Sequence, residues 1–99
     1  MEIEKIQSEG TVILTLNGRL DTTTSPKLQE ALTDALSGNG NIELDLMKVD
    51  YVSSAGLRVL LQGEKASKAA GKTMNLKNVT VEVMEVFDVT GFTGVLNII

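Results

Sequence analysis

Apolar positions along this chain follow two periods, and their succession predicts the fold. Residues Thr11 to Leu16 are β-branched or aliphatic throughout, and Asn17-Gly18 closes them with turn chemistry, as expected for a strand. The segment from Glu2 to Gln7 is a weaker strand, expected to pair with it across Glu9-Gly10. Pro26 then suits the first position of a helix and Ser25 its N-cap. Leu28, Ala31, Leu32, Ala35 and Leu36 recur at steps of three and four, and Ser37-Gly38-Asn39-Gly40 ends that stripe. Ile42, Leu44 and Leu46 alternate with Glu43 and Asp45, a strand whose extended path continues through Tyr51 and Val52. From Ala55 the helical period returns, with Val59, Gly63, Ala66 and Ala70 on one stripe and Leu60 beside it. The small residues of that stripe allow close approach to a sheet, and Gly71 suits its C-cap. Thr73 to Leu76 reads as a short strand. Val79, Val81 and Val83 alternate as a strand would, whereas Val83, Val86, Phe87 and Thr90 fit a helix closed by Gly91; segment length and that glycine favour the helix. A last strand spans Val95 to Ile98. The order β-β-α-β-α-β-α-β predicts an α/β fold with a mixed β-sheet, right-handed crossovers and helices packed mainly on one face. Residues 1–99 fit one domain.

Composition narrows the function. The net charge of −4, with nine basic residues scattered among thirteen acids, offers no clustered basic face for a phosphate backbone, so no nucleic-acid partner is expected. Tyr51, Phe87 and Phe92 are the only aromatics, too few to stack bases. Absence of cysteine removes a disulfide framework and fits a reducing compartment; absence of histidine removes the commonest general base, and the two together the usual zinc ligands. Met1-Glu2-Ile3-Glu4-Lys5 is charged where a signal peptide needs an apolar run, and no stretch is long enough to span a membrane. A cytoplasmic protein without metal or cofactor is expected, with no membrane association in the leading reading.

Three motifs point toward enzymes and each fails on its context. Residues 66–73 end in Gly71-Lys72-Thr73, like a phosphate loop, but a helix precedes them and a strand follows. A phosphate loop needs the reverse order, so that a helix N-terminus faces the anion; this order offers the negative end. Asp21, Asp45 and Asp50 could meet at one end of the sheet, although two-carboxylate catalysis also needs a cleft and a controlled separation. Asp50 reads better as a turn residue and Asp45 as a solvent-facing strand position. Ser53-Ser54-Ala55-Gly56 lacks the glycine before serine that a nucleophile elbow requires, and there is no histidine to activate a hydroxyl.

What remains is the junction from Val49 to Leu57, where a strand enters a helix with two serines at the bend. One serine has an ordinary task as N-cap. The other is then expected on a rigid, accessible corner, within reach of a kinase. A phosphate there adds roughly −1.5 to −2 charges. The helix N-terminus tolerates that charge, so the fold survives. A partner packed over the same corner does not tolerate it, because burying an unpaired dianion costs several kcal/mol.

The chain resembles the STAS domains, specifically the stand-alone bacterial anti-sigma factor antagonists. The resemblance rests on Gly18-Arg19-Leu20-Asp21, the helix from Ser25 to Leu36, the strand Ile42 to Leu46, the run Ser53-Ser54-Ala55-Gly56-Leu57, and Val89-Thr90-Gly91-Phe92. It implies a protein that binds an anti-sigma factor serine kinase, releasing a sigma factor, and that is shut off by phosphorylation and reset by a serine phosphatase of the PP2C type. The acceptor implied is Ser54, with Ser53 second, because the family often has Asp where this chain has Ser53. Asp21 matches the family's acidic residue beside the acceptor. The partner surface implied is the corner of Asp21, Thr22, Ser53, Ser54, Gly56 and Leu57. STAS domains also serve as assembly subunits of transporters and stress-sensing complexes without such a switch, which is the alternative reading.

Overall fold

In a computed structural model describing residues 1–99, the chain forms one five-stranded sheet and three helices in the expected order. Strand β1 (Glu2–Ser8) and strand β2 (Thr11–Asn17) pair antiparallel in register from Glu2 opposite Asn17 to Ser8 opposite Thr11. Their two-residue turn places Glu9 and Gly10 at φ of 46° and 79°, a left-handed pair that glycine adopts freely and a non-glycine residue rarely. Helix α1 (Ser25–Leu36), strand β3 (Asn41–Lys48), helix α2 (Ser54–Ala69), strand β4 (Met74–Lys77), helix α3 (Val81–Thr90), a 3₁₀ turn (Phe92–Gly94) and strand β5 (Asn97–Ile98) follow. Strands β2 to β5 are parallel and lie in chain order, β1-β2-β3-β4-β5. Three successive right-handed crossovers advancing in one direction put all three helices on one face. That face is the core. Val12, Leu14 and Leu16 of β2 and Ile42, Leu44 and Leu46 of β3 are buried beneath Leu28, Leu32 and Ala35 of α1 and Leu57 and Leu60 of α2. The opposite face carries Ile13, Thr15, Glu43, Asp45 and Lys77, with Lys77 paired to Glu43 at 3.0 Å.

The segment of ambiguous period is the helix α3. Thr80 caps it: its hydroxyl accepts from the Val83 N–H at 3.4 Å and donates to the Val49 carbonyl at 2.8 Å. Val83 and Phe87, one turn apart, fill the core, and Gly91 at φ 80° ends the helix.

Two local expectations are corrected. Ser25 is not the N-cap of α1; it is the first helical residue, buried, and its hydroxyl donates to the Asp21 carbonyl. The stripe of α2 is also rotated. Val59, Leu60 and Gly63 face inward as expected, but Ala66 and Ala70 are exposed, and Gly56, Leu57, Glu64 and Ser67 complete the buried face instead. Alanines give little burial, so the larger Leu57 and Leu60 set the helix's rotation. Gly63 then sits where a Cβ would come within 3.0 Å of Leu32 Cδ1 and of Met74 Sδ, which locks α2 against both α1 and β4.

The Gly-Lys-Thr run caps other elements. Lys72 Nζ donates to the carbonyls of Leu36 (2.8 Å) and Gly38, placing a cation at the negative end of α1. The Thr73 N–H donates to Asn41 Oδ1 at 3.1 Å. These bonds tie the two βα-unit bottoms together and occupy the lysine that a phosphate would need.

Candidate partner-binding site

The corner is built where β2 and β3 leave the sheet. Beyond Asn17 the chain turns at Gly18, whose N–H donates to the Lys48 carbonyl at 3.1 Å. Leu20, fully buried, then forms a lone parallel bridge with Val52. The Leu20 N–H donates to the Tyr51 carbonyl (2.9 Å) and the Ser53 N–H to the Leu20 carbonyl (2.8 Å). That bridge holds two segments side by side: Arg19 and Asp21 flank Leu20, and Tyr51 and Ser53 flank Val52. Both run directly into helix N-termini.

The two serines part company here. Ser53 is extended (φ −89°, ψ 174°) and half-buried, and its hydroxyl oxygen accepts from the Gly56 N–H at 3.3 Å, so it is the N-cap of α2. Ser54 is the first residue of the helix and exposed, and its hydroxyl takes part in no hydrogen bond within the chain. Its place at the positive end of α2 suits an added anion. Gly56 and Leu57, counted in the corner from the sequence, are buried and shape it from beneath. A Cβ on Gly56 would fall 2.8 Å from Leu20 Cγ and 3.0 Å from the Leu20 carbonyl oxygen, so only glycine lets α2 start this close to the Leu20 strand.

Across the bridge, Asp21 closes a tight turn into α1. Its Oδ1 accepts from the N–H groups of Thr23 and Thr24, both at 3.0 Å, while the Asp21 N–H donates to Thr24 Oγ1 at 2.8 Å. These reciprocal bonds satisfy backbone donors ahead of α1, which explains why Thr24, at the cap position, makes no side-chain cap of its own. The Thr24 N–H holds the Asp21 carboxyl below the usual carboxylate range against some desolvation, helped by the Thr24 hydroxyl, the Thr23 N–H and Arg19, whose Nε lies 3.8 Å from Oδ2. Thr22, next in the chain, is exposed.

The depressed Asp21 pKa fixes the sign of an acid effect. A carboxyl whose folded pKa lies below its unfolded value, about 4, stabilises the fold above that pH and ceases to do so as pH falls through the lower folded value. Asp21→Asn should therefore melt below wild type at pH 7, and the gap should close as pH drops beneath about 4. Thermal melts by circular dichroism between pH 7 and pH 2.5 check this; a gap constant with pH contradicts it.

Elsewhere the acids do not converge. Asp45 accepts from the Met47 N–H (3.0 Å) and Asn78 Nδ2 (3.1 Å), Asp50 is exposed, and no group of three or more His, Cys, Asp or Glu is placed to hold a metal ion. No helix is long and apolar enough to cross a membrane. One pair at the corner carried no signal in the sequence: the Arg19 guanidinium lies over the Tyr51 ring, 4.0 Å from its centroid. Only the Leu20–Val52 bridge brings the two together.

Comparison with known proteins places this geometry in a family. The family model described as "Mlab, STAS domain" matches residues 4–98. The anti-sigma-B factor antagonist of Bacillus subtilis is 26% identical over 98 residues, covering 99% of this chain and 90% of that protein. BtrV of Bordetella bronchiseptica, named for anti-sigma factor antagonism, is 30% identical over 96 residues, covering 96% of this chain and 83% of that protein. Among solved structures, the anti-sigma factor antagonist SpoIIAA, of Bacillus, superposes in its unphosphorylated form with a TM-score of 0.83 at 19% identity, over 99% of this chain and 88% of that one. Its phosphorylated form superposes with a TM-score of 0.75 at 18% identity, over 99% and 91%. At such identities the superpositions establish a shared fold.

Proposed function

The chain belongs to the STAS domain family, and from that premise we propose that it is an anti-sigma factor antagonist switched by phosphorylation of Ser54. Residues 1–99 act as one STAS unit in the cytoplasm. The unmodified corner of Asp21, Thr22, Ser53 and Ser54, supported from below by Gly56 and Leu57, binds an anti-sigma factor that is also a serine kinase, and a sigma factor is released. The kinase transfers the γ-phosphoryl of ATP to the Ser54 oxygen, ADP leaves, the hydroxyl proton is lost, and the complex separates. A PP2C-type serine phosphatase hydrolyses the ester and restores binding. The protein itself is a binding module and catalyses nothing.

The observation that carries this reading is the division of labour at the start of α2: Ser53 holds the cap while the Ser54 hydroxyl stays exposed and uncommitted. Modifying Ser54 leaves the Ser53–Gly56 bond in place. Modifying Ser53 would remove an N-cap worth about 1 kcal/mol. The names of the relatives, and the existence of SpoIIAA in phosphorylated and unphosphorylated forms, support the same reading.

Incubation with the cognate anti-sigma kinase and ATP, followed by mass spectrometry, is expected to place one phosphate on Ser54. Ser54→Ala should take up none, and Ser53→Ala should still be phosphorylated while melting several degrees lower. Phosphate confined to Ser53, or on neither serine, would overturn the proposal. A second reading, a permanent assembly subunit in which Ser54 is silent, is favoured by Ser53 standing where the family often has Asp. Purification from the native cell then yields a stable large complex instead of free protein that cycles with kinase and phosphatase.

A further inference from the structure

We infer that the pair Arg19–Tyr51 is the hot spot of the partner interface and that its guanidinium receives a carboxylate of the partner. The inference rests on the partner-binding reading of the Ser54 corner and names what that corner recognises. Two facts of geometry carry it. First, the guanidinium lies 4.0 Å from the Tyr51 ring centroid, and its Nε approaches Asp21 only to 3.8 Å. The cation is thus held over a ring face and in a loose ion pair with Asp21, while none of its N–H donors is engaged in a hydrogen bond. A planar guanidinium with free N–H donors matches a carboxylate, which can take two parallel N–H···O bonds. Second, both side chains stand in solvent, Arg19 with 61% of its side chain accessible and Tyr51 at 40%. An exposed tyrosine contributes nothing to the core, and its placement beside an exposed arginine joins two residue types that dominate binding hot spots.

Position ties the pair to the switch. Arg19 and Tyr51 flank the Leu20–Val52 bridge on one side, and Asp21 and Ser53 flank it on the other, with Ser54 next in the chain. A surface covering Ser54 therefore has the stacked pair within its footprint. The partner chemistry that fits is an acidic residue. A second copy also offers carboxylates, but with a net charge of −4 on each chain the two copies repel, which makes it the poorer match.

The test compares single variants with the double in binding to the anti-sigma kinase, by calorimetry, with thermal melts alongside. Arg19→Ala and Tyr51→Ala should each weaken binding at least tenfold with unchanged melting temperature. The double variant should lose less than the product of the two, since each side chain positions the other. Arg19→Glu should lose more than Arg19→Ala, because it sets carboxylate against carboxylate. If Arg19→Ala and Tyr51→Ala bind like wild type while Ser54→Asp does not bind, this inference fails and the corner reading stands. If wild type does not bind the kinase, both fail. A concentration-dependent dimer abolished by Tyr51→Ala would place a second copy on the pair and overturn the inference.

Discussion

Ser54→Asp is expected to weaken binding to the anti-sigma partner by about 100-fold, and phosphorylation by about 1,000-fold, with the fold kept. The size follows from desolvation. A contact that buries the Ser54 hydroxyl must strip water from whatever replaces it, and an unpaired buried charge costs several kcal/mol; ~4 kcal/mol corresponds to about three decades of affinity. The carboxylate carries a single charge and fewer acceptors than phosphate, so its effect is the smaller. Stability moves the other way. A negative charge in the first turn of α2 interacts favourably with the helix dipole by about 0.3–1 kcal/mol, so the melting temperature should hold or rise by a few degrees. Ser54→Ala should bind within about tenfold of wild type, because a neutral hydrogen bond from the hydroxyl is worth only about 0.5–1.5 kcal/mol net. Calorimetric titration with paired melts measures both quantities. An Asp variant that binds normally, or that loses binding only because it unfolds, contradicts the expectation.

Gly56→Val is expected to be the most damaging single change near the site. Gly56 has no unusual backbone angle, so only space constrains it, and alanine would ordinarily gain about 1 kcal/mol of helix propensity there. The Leu20 carbonyl oxygen, 3.0 Å from the position of a Cβ, belongs to the backbone that accepts the Ser53 N–H and cannot swing aside. Overpacking of this kind costs about 1–3 kcal/mol, and valine's branch adds to it. A loss of about 3 kcal/mol lowers the melting temperature of a domain this size by roughly 12–24 °C. Gly63→Ala is the control. Its Cβ would also meet atoms at 3.0 Å, but these are the side-chain ends Leu32 Cδ1 and Met74 Sδ, and methionine adapts readily. It should cost clearly less. Equal losses at the two glycines would contradict this account of the Leu20 contact.

Much of this was legible in the residues, for identifiable reasons. The alternation in Ile42 to Leu46 and the stripe from Leu28 to Leu36 are long enough for one period to exclude the other, and both elements appear as expected. Residues 79–90 satisfied both periods at the start, and the left-handed Gly91 settled the helix. The start of α1 was not legible, because the N–H groups of Lys27 and Leu28, which a Ser25 cap would satisfy, donate to the Thr24 carbonyl (3.0 and 3.4 Å), and Thr24 is placed by the turn from Asp21, next to Leu20 on its bridge to Val52. Nor did the sequence distinguish the cap from the free hydroxyl. Ser53 and Ser54 are chemically identical, and only the extended backbone at Ser53 assigns the roles. Arg19 and Tyr51 lie far apart in sequence, so their stacking could be found only once the bridge was known. The buried face of α2 was read correctly at Val59, Leu60 and Gly63 but wrongly at Ala66 and Ala70, because alanines carry little hydrophobic weight in setting a helix's rotation.

The claim on which the rest depends is that the partner sits on the Ser54 corner. Amide hydrogen exchange of the chain, alone and saturated with its anti-sigma kinase without ATP, tests it directly. Protection is expected at residues 19–24 and 51–58, the two segments joined by the Leu20–Val52 bridge. Protection confined to the open face of β1 and β2, with exchange at those segments unchanged, would contradict it.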